Sequence, residues 1–136
     1  MVNNKKLLLV EDDNLLIRMY EDKFTRDGYE VTTAFTGEDG LIKLKNFQPT
    51  LILLDIMLPK MNGFEVLQAI KVDPATKKIP VIMLTNMASE EDSKKGLELG
   101  AVAYLVKSEN TPDQIVAKIK EILAGYTHDE VPKVAD

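Results

Sequence analysis

Carboxylates follow an apolar run at two places in this chain where packing gives no reason for a charge. Glu11, Asp12 and Asp13 come directly after Leu7–Val10, and Asp55 comes directly after Leu51–Leu54. Two more polar residues stand in the same relation to later apolar runs: Thr85 after Val81–Leu84, and Lys107 after Ala101–Val106. Singly, each has an ordinary explanation, since Asp13 can cap a helix, Thr85 can bond a loop amide and Lys107 can be a solvated charge. Jointly they do not. Two carboxylates about 4 Å apart repel by about 4 kcal/mol at an effective dielectric of about 20, so acids gathered in one place need a cation beside them. A hard divalent ion, helped by Lys107, supplies that compensation. Mg2+ fits, because it takes one or two carboxylates and fills its other positions with water and phosphate oxygens; Mn2+ accepts similar ligands. Such a set suits phosphoryl transfer, in which a protein mostly positions groups and neutralises charge, and Asp55 is the candidate nucleophile.

These residues meet only if the runs that carry them lie side by side. Five short apolar runs recur: Leu7–Val10, Tyr29–Ala34, Leu51–Leu54, Val81–Leu84 and Ala101–Val106. Four of them are continuous rather than alternating, the pattern of strands buried on both faces. Helical spacing fills the gaps. Leu16, Tyr20 and Phe24 repeat every four residues; Leu41 and Leu44 follow Thr36-Gly37-Glu38; Val66, Leu67 and Ile70 follow Asn62-Gly63. A fourth helix opens at Ser89-Glu90-Glu91-Asp92, a cap with acids in its first turn. A fifth opens at Thr111-Pro112-Asp113-Gln114, a capping box with Pro in the first helical position, and runs on through Ile115, Val116, Ile119, Ile122 and Leu123. Gly28 and Gly100 stand where helices should end. Strand followed by helix, five times over, predicts an α/β fold: a five-stranded parallel sheet with helices on both faces, a doubly wound (βα)5 flavodoxin-like arrangement. Ligands of such sheets bind outside the carboxyl ends of the strands, where Glu11, Asp12, Asp55, Thr85 and Lys107 all stand.

Composition narrows the classes further. At 136 residues the chain is expected to form one domain, residues 1–124, followed by a polar tail, residues 125–136. A net charge of −5 argues against direct nucleic-acid binding, which wants a dense basic patch. The absence of Cys excludes disulfides and thiolate metal sites. The first apolar run is too short for a signal peptide or a membrane span, so no membrane role and a cytoplasmic location are expected. His128, the only His, falls in the polar tail away from every strand end, which sets it outside catalysis and phosphorelay. The six Met read as core or loop filling, and Glu90, Glu91, Lys94 and Lys95 as a solvated helix face.

The residues Val10-Glu11-Asp12, Asp55-Ile56-Met57-Leu58-Pro59 with Gly63, Leu84-Thr85 and Lys107 resemble the receiver domain of two-component response regulators, from about Lys5 to Leu123. The resemblance implies that Asp55 accepts a phosphoryl group from a histidine kinase or phosphotransfer protein. It implies that Glu11 and Asp12 are the metal-site acids, with Asp12 the direct ligand, and that the Met57 backbone carbonyl shares in the coordination. Thr85 and Lys107 would contact phosphoryl oxygens, and Thr85 with Tyr104 would form the switch. The fourth helix, fifth strand and fifth helix would then present a surface to a downstream protein, with homodimerisation on phosphorylation as a further outcome. Asp13 falls one place beyond the acidic pair and is expected to be a neighbour or cap. The resemblance thus implies a phosphoacceptor signalling domain rather than an enzyme, with self-phosphorylation from small donors and autodephosphorylation expected. It departs from the family pattern twice. Ser108 stands where a Pro is usual, often after a cis bond; before Ser such a bond costs about 2.5–4 kcal/mol, so either it is retained or the loop runs differently. Asn86 stands where a small residue usually follows the hydroxyl, which predicts altered rates rather than lost function.

Three other readings compete. A flavodoxin-like cofactor protein needs a hydroxyl- and glycine-rich loop after the first strand, and Glu11-Asp12-Asp13-Asn14 would repel a phosphate. A hydrolase of the haloacid dehalogenase type wants a second Asp two places after the nucleophile, where this chain has Met57. A receiver-like interaction module that works without phosphorylation would not need Glu11, Asp12, Asp55, Thr85 and Lys107 together. The chain resembles a stand-alone, chemotaxis-regulator-like receiver, with a fragment of a larger regulator or hybrid kinase as the alternative.

Overall fold

Residues along a strand alternate between its two faces, so a strand apolar at every position needs a hydrophobic layer on each side. The structure, a computed structural model that describes residues 5–126, meets that need with one parallel sheet between two helical layers. The strands are β1 (Lys6–Val10), β2 (Glu30–Ala34), β3 (Leu51–Leu54), β4 (Val81–Thr85) and β5 (Ala103–Val106). The helices are α1 (Asn14–Arg26), α2 (Gly37–Phe47), α3 (Gly63–Val72), α4 (Glu90–Glu98) and α5 (Pro112–Tyr126), and a 3-10 turn covers Lys107–Glu109. Leu7, Leu9, Leu51, Leu53, Ile82 and Leu84 face one side, where Ile17, Tyr20 and Phe24 of α1 meet Ile115, Ile119 and Leu123 of α5. Leu8, Val10, Ile52, Leu54, Val81 and Met83 face the other, packing on Leu44 of α2 and on Phe64, Val66, Leu67 and Ile70 of α3.

The strand order is β2-β1-β3-β4-β5. The chain therefore leaves β1 in one direction to reach β2 and ends up on the other side of β1 at β3, which opens a crevice above the carboxyl ends of β1 and β3. Register completes the placement. Val10 pairs with Leu54, so Glu11 and Asp55 emerge side by side, and Thr85 pairs with Val106, so Lys107 emerges beside Asn86, one residue past the end of β4 at Thr85.

Sequence boundaries shift where an edge changes the environment. β2 begins at Glu30 rather than Tyr29, and β5 begins at Ala103 rather than Ala101. β5 was expected to be buried on both faces; it is half-buried throughout, because it is an edge strand with one neighbour. In α1 Tyr20 and Phe24 are buried as expected, and at the first position Ile17 is buried while Leu16 is only partly so. α5 continues through Gly125 and Tyr126, two residues past the expected end of the domain at residue 124. His128 lies outside the described residues. The caps fall where their residue types put them. Ser89 accepts from the Asp92 N–H, and Thr111 and Gln114 exchange bonds across the start of α5. Gly28 and Gly100 have φ of 96° and 115°, a region that favours glycine.

One glycine is set by the site itself. A Cβ at Gly63 would lie 2.1 Å from the Asp55 carbonyl oxygen and 2.7 Å from the Ile56 Cα. Both are backbone atoms that cannot swing aside, so α3 can start against the β3 loop only without a side chain there. Gly63→Ala is expected to destabilise the fold by at least about 3 kcal/mol, read as a lower urea midpoint with an unchanged slope.

Candidate functional site

Glu11 is 1 % and Asp55 5 % exposed, and two carboxylates so deeply buried must find hydrogen-bond donors. Asp55 Oδ1 accepts from the Ile56 N–H at 2.7 Å and the Met57 N–H at 3.3 Å, both on the loop that Gly63 lets close. Asp55 Oδ2 accepts from Lys107 Nζ at 2.9 Å. The same ammonium donates to Glu11 Oε1, and Glu11 Oε2 accepts from the Asp13 N–H at 3.0 Å. Lys107 thus bridges acids from two strands, reaching from the end of β5 across Thr85.

Asp12 is exposed at the mouth. Glu11, Asp12 and Asp55 each offer one carboxylate oxygen within a group spanning 4.8 Å. Three carboxylates against one ammonium leave two negative charges in excess, and all the donors are hard oxygens. That donor set fits one divalent ion of the magnesium kind. Asp13 faces away from this work: its side chain caps α1 by accepting from the Leu15 N–H at 2.9 Å and the Leu16 N–H at 3.2 Å. Met57 lies on the loop after β3 with its side chain exposed, and it lines an apolar hollow beside Asp12 together with Leu58, Phe64 and Met87.

Burial pushes the Glu11 carboxyl up; Lys107 opposes the shift and the Asp55 charge adds to it. Burial would lower Lys107, but its bonds to Glu11 and Asp55 outweigh that and raise it. The lysine therefore stays an ammonium.

Thr85 is fully buried at the end of β4, and its Oγ1 accepts from the Met87 N–H at 3.3 Å. Tyr104 is half-buried on β5, and its hydroxyl donates to the Met87 carbonyl at 2.6 Å. Burial, followed by the charges of Asp92 and Asp55, pushes the Tyr104 phenol up to about 12. Met87 therefore joins Thr85 to Tyr104 through its two backbone groups. The sequence carried no sign of this, because any residue type offers those groups.

The two departures around Lys107 also take a definite form. No cis peptide occurs among the described residues, and β5 passes into the 3-10 turn of Lys107–Glu109, so the loop runs differently from the Pro-containing pattern. Asn86 accepts from the Ser108 N–H at 3.1 Å, a contact that spacing in the sequence does not announce.

Comparison with known proteins agrees with this geometry. Residues 7–120 match the sequence family described as the response regulator receiver domain. The chain is 39 % identical over 120 residues to the alkaline phosphatase synthesis transcriptional regulatory protein PhoP of Bacillus subtilis, covering 88 % of this chain and 49 % of that protein. It thus spans about half the length of the curated relatives it matches. Among solved structures, a CheY-like receiver domain protein from Methanospirillum hungatei is similar at TM-score 0.85 and 36 % identity, over 94 % of this chain and all of that one. The chemotaxis protein CheY4 of Vibrio cholerae is similar at TM-score 0.81 and 30 % identity, over 88 % of this chain and 98 % of that one. Among the described residues no helix is long and apolar enough to cross a membrane.

The raised Glu11 value has a definite sign. Its folded value lies above the ordinary 4.5, so its contribution to stability is full below pH 4.5 and is lost as pH rises through the folded value. In metal-free protein, carbon-detected NMR of the Glu11 carboxyl is expected to show a midpoint above 4.5, moving higher still in Lys107→Met, where the opposing ammonium is gone.

Proposed function

This chain belongs to the response regulator receiver family, and we propose that it signals by taking a phosphoryl group on Asp55. The single observation that carries the reading is the double donation of the Lys107 ammonium to Glu11 and Asp55 inside a buried acidic pocket. A structural ion pair needs one acid; this pocket holds three within reach of one another.

In the transfer, an Asp55 carboxylate oxygen forms the new bond to phosphorus as the donor's own bond to phosphorus breaks. The leaving group departs with that electron pair: imidazole from a phosphohistidine, or acetate from acetyl phosphate. The Ile56 N–H, at 2.7 Å, fixes the carboxylate's rotation so that it meets the donor in one orientation. Lys107 offsets negative charge on the transferring oxygens, and the Thr85 hydroxyl supplies a hydrogen bond to one of them. Glu11, Asp12, Asp55 and the Met57 carbonyl would hold Mg2+, or Mn2+, which when bound neutralises charge on the phosphoryl oxygens. Self-phosphorylation from small donors and autodephosphorylation are the domain's expected reactions.

The donor is a histidine kinase or phosphotransfer protein, met in the cytoplasm. The output runs through Met87. A Thr85 hydroxyl drawn to the phosphoryl group gives up the Met87 N–H, the loop between β4 and α4 shifts, and the Tyr104 hydroxyl loses its acceptor. That motion would remodel the face made by α4, β5 and α5 for a downstream protein or a second copy of the chain. A coupling of about 1–3 kcal/mol between site and face suffices for a useful response.

Incubation with acetyl phosphate and Mg2+, followed by intact mass measurement, tests the proposal. The native chain should gain one phosphoryl group and Asp55→Asn none. Equal labelling of both would remove Asp55 from the role, and labelling of neither would favour an interaction module that works unphosphorylated.

A further inference from the structure

Lys107 reaches its two acids on a flexible four-carbon stem, so the position of its ammonium depends on how firmly the backbone at the end of β5 is held. The turn that follows covers only Lys107–Glu109, and no side chain caps it at Val106. So short a 3-10 turn has little stability of its own. Two asparagine side chains tie it, one at the residue before it and one at its middle residue. The Asn110 side-chain amide donates to the Val106 carbonyl at 2.9 Å, and the Ser108 N–H donates to the Asn86 side-chain oxygen at 3.1 Å. Asn86 directly follows Thr85, whose strand partner is Val106. The bond therefore joins the two loops that carry the hydroxyl and the ammonium of the site.

We propose that Asn86 is a positioning residue for Lys107, acting through the Ser108 N–H. The inference deepens the phosphoacceptor reading and rests on it. It also makes the two departures from the family pattern one device. Asn86 supplies an acceptor that a small residue lacks, and Ser108 supplies a donor that Pro lacks. Either alone leaves the turn without this tie. Asn86 touches neither Glu11 nor Asp55 in any hydrogen bond of the site, so its effect travels through the turn.

A double-mutant cycle tests it, using native protein, Asn86→Ala, Ser108→Pro and the double variant. The readouts are the initial rate of labelling by acetyl phosphate with Mg2+ and the NMR signal of the Lys107 ammonium in all four proteins, and hydrogen exchange at the Ser108 amide in native protein and the Asn86 variants. Loss of one hydrogen bond predicts that Asn86→Ala slows labelling about threefold to tenfold and speeds Ser108 amide exchange by a similar factor, with the Lys107 signal shifted. The double variant should be no slower than the slower single variant, because the two residues serve one bond. Asn86→Asp, which keeps an acceptor oxygen in the same place, should keep the Ser108 amide protected; a merely space-filling role for Asn86 would not distinguish it from Asn86→Ala in this readout.

Additive slowing in the double variant overturns the proposal, as does unchanged labelling in Asn86→Ala. Should the native chain take no phosphoryl group, the phosphoacceptor reading fails on its own. The positioning role is then decided by the Ser108 exchange and the Lys107 signal, and their indifference to Asn86→Ala rejects it. Should Ser108→Pro fail to fold, Asn86→Ala and Asn86→Asp decide the matter.

Discussion

Buried carboxylates repel, and Glu11 and Asp55 remain together because one ammonium donates to both. Nearly every feature near the site follows from keeping that arrangement. The sheet must be parallel, so that the chain returns β1, β3, β4 and β5 to the same edge with like ends aligned. The registers of Val10 with Leu54 and of Thr85 with Val106 must hold, because a slip of one residue would turn each acid or the lysine to the opposite face. The two helical layers fix those registers by burying both faces of the central strands, whose leucines and isoleucines are almost wholly inaccessible. Rigidity of the core is therefore the means by which charges are held in an unfavourable grouping. The excess of negative charge in that grouping, offered by hard oxygen donors, fits one divalent ion of the magnesium kind.

The loops divide the labour differently. The segment after β3 is shaped by absence, since Gly63 lets α3 approach the Asp55 carbonyl more closely than any side chain would permit. The segments after β4 and β5 are shaped by hydrogen bonds to backbone groups: Thr85 and Tyr104 to Met87, and Asn86 to Ser108. Close packing of backbone on backbone sets the first, and single hydrogen bonds to backbone groups set the other two. The proposed phosphoacceptor role, which asks Asp55 to stay still while Thr85 and Tyr104 respond, is served by that contrast.

Much of this could be read from the residues alone. Leu51–Leu54 and Val81–Leu84 announce buried strands because no polar residue interrupts them. Ser89 and Thr111 announce helix starts because a side-chain oxygen there satisfies amides that the helix leaves open. Glu11, Asp12, Asp55 and Lys107 announce a pocket because charges after apolar runs need one another. What stayed hidden has a common cause. Which strands neighbour one another is a property of the assembled sheet, so the edge position of β5, and with it its half-buried state, was not visible in Ala101–Val106. The link through Met87 and the tie from Asn86 to Ser108 both end on backbone atoms, which every residue possesses and no residue type advertises.

Titration calorimetry of the metal-free chain with Mg2+ bears most directly on the claim that these acids form one cation pocket. The account predicts uptake of a single ion by the native chain and loss of most of that affinity in Asp12→Asn, whose fold rests on none of the site's hydrogen bonds. Absence of uptake by the native chain, or equal uptake by the variant, would contradict it.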